Sequence, residues 1–199
     1  MKWRGSRARQ LSTGEFRKAF TVDGQGTQLA QKDDGRCVFL GPQGCEVHAD
    51  RPLVCRLYPL GRHLRTDGLE FFTRHEGHPL SEGEFIDRGT VDGFLDAQGA
   101  KPFMAAQDRY FEWLCWAHDQ LGPAAVSSDA TSTEPTDGTD LLDMDGMIAR
   151  HCAATGKAEP ADLDDRLQLH LQLLHDLVAN QGDQHATEKS QDRQSEAAP

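Results

Sequence analysis

Long apolar runs and basic residues are both scarce in this sequence. No window approaches eighteen consecutive apolar residues, so we expect no membrane-spanning helix. The basic N-terminus is not followed by an apolar stretch, so we expect no secretory signal. The formal net charge is −11, with 21 Lys and Arg against 32 Asp and Glu. Since phosphate contacts need Lys and Arg, this acidic balance argues against binding of nucleic acid or of an anionic membrane.

Apolar side chains and catalytic motifs are limited as well. Apolar residues make up 37% of the 199 positions, and counting the 19 glycines brings the chain near the range of globular proteins. This length allows one domain with tails, or two very small domains, around a core of modest size. The sequence contains no glycine-rich phosphate loop, no nucleophile elbow and no Ser/His/Asp order, so its motifs point to no particular reaction.

Five cysteines are present, and three of them fall within nineteen positions. An odd count without an export signal predicts a reducing, cytoplasmic location with free thiols. Cys37, Cys45 and Cys55 are separated by turn-forming residues and an Arg-Pro pair, and thiolates bind Zn²⁺ or iron tightly. These three residues therefore predict a metal or iron–sulfur site. Cys115 and Cys152 lie in helical patterns, and we expect them to pack as small apolar residues.

The identity of a fourth ligand is less constrained. A closed zinc site needs four ligands, and an iron–sulfur cluster usually needs about four as well. We favour His78, because it lies in a loop bounded by Gly and Pro that follows a predicted hairpin and could fold back on the cysteines. An exposed loop histidine is the alternative for His78. The other candidates are a water, a partner chain, His63, His75 and His48, which could instead orient a ligand by a hydrogen bond.

The charged and helical surroundings of the cysteines add little to the ligand set. Arg51 and Arg56 flank Cys55, where cations lower a thiol pKa and offset the charge of a cluster. They could also make ordinary ion pairs with Asp33, Asp34 or Asp50. The remaining histidines fall in helical segments without a metal-binding spacing, and we expect them at the surface or partly buried: His118, His151, His170 and His175.

Short elements are predicted around the cysteines. Ser12 to Glu15 reads as a capping box that starts a short helix, and Asp50 is expected to cap a helical turn over Leu53 to Tyr58. A short strand is expected at Cys37 to Leu40, and a second strand or an extended segment is expected at Cys45 to His48, after a turn at 41–44. The Asp67-Gly68 pair predicts a hairpin between two β-prone runs.

Helices are predicted for the rest of the chain. The apolar spacing predicts helices over 91–98, 102–121, 141–153 capped by Asp140, and 163–179 capped by Asp162. The expected fold is α+β and mostly helical, with short β-hairpins around a cysteine cluster packed by helices. The expected organisation is a cysteine-cluster region at 1–100, a helix packed on it at 101–122, a linker at 123–140, a helical segment at 141–180 and a disordered tail at 181–199.

The run from Cys37 to Pro59 resembles the bacterial YkgJ-like cysteine-cluster family. Members of that family typically show C-x-F-L, then C-x-I/V-Y/H, then R-P-x-x-C-R-x-Y/F-P. This chain has CVFL from Cys37, CEVH from Cys45 and RPLVCRLYP from Arg51. The upstream run LSTGEFRKAF is also similar to the segment that precedes the cluster in the family. The resemblance covers about residues 10–100 and implies chelation of zinc or iron.

Two positions depart from the pattern of that family. Members usually carry a further cysteine group upstream of the LSTGEF-like segment, whereas no cysteine precedes Cys37 in this sequence. We expect either that upstream residues are missing from the sequence or that this member has lost those ligands. Many members carry a Cys-Pro pair after the hairpin, and His78-Pro79 occupies that place here, which is a second reason to favour His78.

Three functions are compatible with these features. The first is a metal-binding protein in which Cys37, Cys45 and Cys55, with His78, hold Zn²⁺ or an iron–sulfur cluster in a structural or chelating role. The second is an enzyme, because relatives are labelled iron–sulfur oxidoreductases and flagellin lysine methylases are similar around the cysteines. The third is a helical interaction module whose metal site is structural or vestigial. No nucleic acid or membrane is expected as a partner, and the sequence identifies no protein partner.

Overall fold

The fold class agrees with the prediction. The computed structural model describes residues 10–24, 28–77, 89–121 and 141–195, the last range with side chains up to residue 180. It is α+β and mostly helical, with two separate two-stranded antiparallel sheets. No helix in these ranges is both long and apolar enough to cross a membrane. The chain divides into two compact units, Met1–Leu11 with Phe16–Arg109 and Ser12–Glu15 with Tyr110–Pro199.

Helix α1, Thr13–Phe20, begins with the predicted capping box. The Ser12 backbone N–H donates to Glu15 Oε2 at 2.7 Å, and the Glu15 backbone N–H donates to Ser12 Oγ at 3.2 Å. Phe16 and Phe20 lie one turn apart, and their rings contact that of Phe39 at centroid distances of 5.7 and 4.8 Å. These aromatic residues form a small core beside the first two cysteines.

The strands around the first two cysteines are shorter than predicted. Strand β1, Leu40–Gly41, pairs with β2, Gly44–Cys45, across the turn that the sequence predicted at 41–44. Residues before β1 turn instead of extending, because the Leu40 backbone N–H donates to the Cys37 carbonyl oxygen at 2.9 Å. The strand prediction for Cys45 to His48 also fails at its end, where His48–Asp50 forms a 3₁₀ turn.

Helix α2, Leu53–Leu57, carries Cys55 and ends before Pro59, as the sequence predicted. Its N-cap is Pro52 and not Asp50, because Asp50 already belongs to the 3₁₀ turn. The predicted hairpin follows as β3, Leu60–Leu64, and β4, Glu70–Arg74, paired antiparallel. Gly68 has a φ of +83°, a conformation in the hairpin turn that glycine adopts without strain.

Two further helices complete the core of the first unit. Helix α3, Val91–Ala97, and helix α4, Lys101–Leu121, match the helices predicted at 91–98 and 102–121. Thr90 caps α3, because its Oγ1 accepts a hydrogen bond from the Gly93 backbone N–H at 3.1 Å. The buried core that α2 shares with these helices consists of Leu53, Leu57, Leu95, Ala100, Phe103 and Met104.

The second unit contains helices α5, Met144–Thr155, and α6, Leu163–Ser195. Asp143 caps α5, whereas the sequence favoured Asp140, which lies outside the described residues together with the rest of the predicted linker at 123–140. Asp162 caps α6 as predicted, since its Oδ1 accepts from the Asp164 backbone N–H at 2.6 Å. Helix α6 extends to Ser195, and the disordered tail expected at 181–199 stays a prediction.

Candidate metal centre

Cys37 and Cys45 lie on two neighbouring segments of the first unit. Cys37 forms an isolated antiparallel bridge with Gln31, and Cys45 is the last residue of β2, paired with Leu40. Both residues are partly buried and pack against the core of Phe16, Phe39 and Val47. The turn and the aromatic core therefore fix the backbone at both cysteines.

Cys55 lies in the middle of helix α2 and is exposed. The apolar side chains of Leu53 and Leu57 face the core, so the opposite side of this short helix carries Cys55 together with the exposed Val54. Since Val54 is 61% exposed, the surface beside this thiol is open to solvent.

Cys37 and Cys45 both lie close enough to Cys55 to influence its thiol electrostatically. Burial raises the pKa of the Cys55 thiol, and the negative charges of Cys37 and Cys45 raise that pKa further. The positive charges of Arg51 and Arg56 oppose this effect. Cys55 is exposed at the surface, but the protein around its sulfur desolvates the thiolate and so raises the pKa. The thiol of Cys55 is therefore accessible, and the charges of Cys37 and Cys45 act on it.

The donor chemistry of the three cysteines fits a thiophilic metal, but the described residues do not form an assembled ligand group. Thiolates are ligands of zinc and of iron–sulfur clusters. Among the described residues, no three His, Cys, Asp or Glu side chains are grouped closely enough to hold a metal ion.

The structure does not bring the described histidines into a metal site. His63 stacks on Phe71 with ring centroids 4.6 Å apart, and its Nε2 lies 2.9 Å from Thr73 Oγ1. His75 lies against Gly61, where a β-carbon would clash with its ring. His48 is exposed in the 3₁₀ turn, and His78 lies outside the described residues. The assignment of His78 as the fourth ligand stays a prediction.

Arg51 and Arg56 make hydrogen bonds to backbone carbonyls and to Gln98. The Arg51 guanidinium donates to the His48 carbonyl oxygen and to Gln98 Oε1, each at 2.7 Å. The Arg56 guanidinium donates to the carbonyl oxygens of Ala49 at 2.6 Å and Gln98 at 2.9 Å. Gln98 was not predicted from the sequence, because a glutamine at the end of a helix carries no local sign that distant arginines bond to it.

The acidic partners suggested for these arginines include Asp34, which makes another ion pair. Asp34 Oδ2 accepts from Arg36 Nε at 2.7 Å, in a loop that precedes Cys37. Asp34 thus pairs locally with Arg36. The charges of Arg51 and Arg56 act on the Cys55 thiol, where they favour the thiolate.

The two remaining cysteines belong to the helical part of the chain. Cys152 is 4% exposed and packs with Met144 and Ile148 in the core of the second unit. Cys115 is partly buried in helix α4. Burial of Cys152 agrees with its expected packing role.

Comparison with known families agrees with the resemblance seen in the sequence. Residues 6–76, about a third of the chain, match a family model named CxxCxxCC and described as a "putative zinc- or iron-chelating domain". The matched range includes all three clustered cysteines and ends just before His78. No curated protein and no solved structure matches the chain significantly.

Proposed function

We propose, from the match of residues 6–76 to this zinc- or iron-chelating family, that the protein binds a metal through Cys37, Cys45 and Cys55. The metal would be Zn²⁺ or the iron of an iron–sulfur cluster. His78 is the proposed fourth ligand. The role proposed for the centre is structural or chelating.

The observation in the structure that supports this proposal is the effect of Cys37 and Cys45 on the Cys55 thiol. The charges of Cys37 and Cys45 both raise the pKa of the Cys55 thiol, although the chain places the residues on three different segments. Thiols that repel one another as thiolates gain stability when a cation binds between them. Arg51 and Arg56 partly offset the same repulsion before a metal arrives.

Each residue of the proposed centre has a definable task. Cys37, Cys45 and Cys55 bind as thiolates, so metal binding releases their protons to solvent. A bound metal would supply positive charge and a fixed geometry to a loop-rich segment. The exposed side of α2 at Cys55 gives solvent, and therefore a metal ion, access to the centre.

The ligand set is tested by metal and acid-labile sulfide analysis of protein purified anaerobically. We expect Cys55→Ser to lower the metal bound per chain, because it removes one of the thiolates. Cys115→Ser is the matched control, since Cys115 lies in helix α4 and is not one of the three clustered cysteines. Equal metal content in the two variants would contradict the assignment.

The proposed fourth ligand is tested in the same analysis. His78→Ala is expected to weaken metal binding, whereas His118→Ala is not, because the side chain of His118 is exposed on α4. If both histidine variants keep the metal of the natural protein, the fourth ligand is not His78. Iron with sulfide and visible colour would indicate a cluster, and zinc without colour would indicate a closed structural site.

A further inference from the structure

Two arginines beside Cys55 converge on one residue, Gln98. Arg51 donates to the side-chain oxygen of Gln98 at 2.7 Å, and Arg56 donates to its backbone oxygen at 2.9 Å. Gln98 is the C-cap residue of helix α3. The turn that carries Cys55 is therefore tied to the end of α3 at two points.

The same two arginines also reach the turn that follows Cys45. Arg51 donates to the His48 carbonyl oxygen at 2.7 Å, and Arg56 donates to that of Ala49 at 2.6 Å. The 3₁₀ turn His48–Asp50 begins three residues after Cys45. The two guanidinium groups thus connect the segment of Cys45, the helix of Cys55 and the end of α3.

Arg56 occupies a confined place at the centre of this arrangement. The residue is 7% exposed, and its guanidinium lies 4.2 Å from the ring centroid of Phe103. Its Nε also donates to the Arg51 carbonyl oxygen at 3.1 Å. A planar guanidinium can address three carbonyl oxygens in fixed directions and stack on an aromatic ring, whereas a lysine ammonium offers only a compact charge.

We propose that Arg51 and Arg56 are positioning residues that hold Cys55 in place relative to Cys45, with Gln98 as their shared anchor. This inference rests on the proposed metal-binding function. It also extends the support of the metal centre to helix α3, beyond the matched residues 6–76. The arginines on either side of Cys55 thereby acquire a geometric role in addition to their charge.

The first test compares Arg56→Lys with Arg62→Lys in the full chain. Arg62 is a matched control, because its side chain is 5% exposed in the same unit and its guanidinium pairs with Asp108 at 2.7 Å. Zinc affinity is measured by competition with a coloured chelator, and the absorption spectrum of the Co²⁺-substituted protein reports ligand geometry. We expect Arg56→Lys to weaken zinc binding by about 10- to 100-fold and to change the Co²⁺ spectrum.

Arg62→Lys is expected to lower resistance to urea without changing the zinc affinity or the Co²⁺ spectrum. Gln98→Ala, which removes only the side-chain acceptor of Arg51, is expected to weaken zinc binding less than Arg56→Lys. If Arg56→Lys keeps the affinity and spectrum of the natural protein, or changes them no more than Arg62→Lys, the positioning role is wrong.

A second test needs no metal and separates this inference from the proposed function. Metal-free protein is treated with bismaleimidoethane, a short reagent that joins two thiols, and the joined cysteines are identified by mass spectrometry. We expect the natural protein and Arg62→Lys to join Cys45 to Cys55 several-fold faster than Arg56→Lys does. If crosslinking is slower in Arg56→Lys but the natural protein binds no metal, the positioning role stands and the metal function is wrong. Equal crosslinking rates in all three proteins would overturn the positioning role.

Discussion

At the scale of the residue, His170 shows what burial does to a titratable side chain. The sequence predicts a surface or partly buried histidine, but His170 is 2% exposed in helix α6. Its Nδ1 lies 2.7 Å from the Tyr110 hydroxyl, and its Nε2 lies 3.1 Å from the Leu141 carbonyl oxygen. Since a carbonyl only accepts, Nε2 carries the proton and Nδ1 accepts from the tyrosine. Both ring nitrogens are thus satisfied, which allows a neutral histidine to be buried.

Acid should destabilise the second unit through this histidine. Burial lowers the pKa of His170 from 6.5 to about 4, although the bond to Leu141 and the charge of Asp145 oppose the shift. Between about pH 6.5 and pH 4, His170 is protonated in the unfolded chain but neutral in the folded chain. The free energy of unfolding therefore falls by up to about 3 kcal/mol as the pH drops through this range. Urea unfolding followed at several pH values measures this slope.

The variant His170→Gln should show a flatter slope over that pH range, whatever its absolute stability. His118→Gln is the control, because the side chain of His118 is exposed and its removal should leave the slope unchanged. An unchanged slope in His170→Gln would assign the acid sensitivity to other groups.

At the scale of the element, the first turn of helix α5 is held by an acidic residue that the sequence passed over. Asp143 Oδ1 accepts from the Gly146 backbone N–H at 3.1 Å and from the Gly14 backbone N–H at 3.0 Å. A β-carbon at either glycine would clash with the Asp143 carboxylate. Asp140 has the same side chain and lies near the same apolar pattern, so local sequence could not decide between two candidate caps. The contact with Gly14, 129 residues away, favours Asp143.

The choice of cap is open to a direct comparison. We expect Asp143→Ala to lower the free energy of unfolding by about 1 kcal/mol or more, because two backbone N–H groups lose their acceptor. Asp140→Ala should cost clearly less. Urea unfolding of both variants measures the difference, and a larger loss in Asp140→Ala would support the cap that the sequence suggested.

At the scale of the whole molecule, the three clustered cysteines and the buried His170 belong to different compact units. Cys37, Cys45 and Cys55 lie in the unit that includes Phe16–Arg109, and His170 lies in the unit that includes residues from Tyr110 onward. The first unit has two separate small cores around short elements, so a metal that joins the cysteine-bearing segments would add stability there. The second unit obtains its stability from long helices and their own core.

Removal of the metal should therefore affect the two units unequally. After treatment of the metal-loaded protein with a chelator, we expect faster amide hydrogen exchange in residues 37–57 and little change in residues 144–178. Cys55→Ser treated in the same way is the control and should show no further change. Equal acceleration in both ranges would show that the metal stabilises the whole chain or binds elsewhere.

The sequence by itself determined the local elements and predicted the cysteines as donor residues. The capping box at Ser12 and Glu15, the hairpin around Asp67-Gly68 and the helices from residue 91 onward follow from contacts between near neighbours, which a sequence pattern records directly. The three clustered cysteines likewise lie within the residues that match a zinc- or iron-chelating family.

Only the tertiary structure decided the contacts between distant residues. It placed the charges of Cys37 and Cys45 within reach of Cys55, connected Arg51 and Arg56 to Gln98, and gave Asp143 the cap. Each of these outcomes depends on where a side chain from another segment lies. Such a position is fixed by packing of the whole unit and leaves no periodic trace in the sequence, which is why local patterns could not predict it.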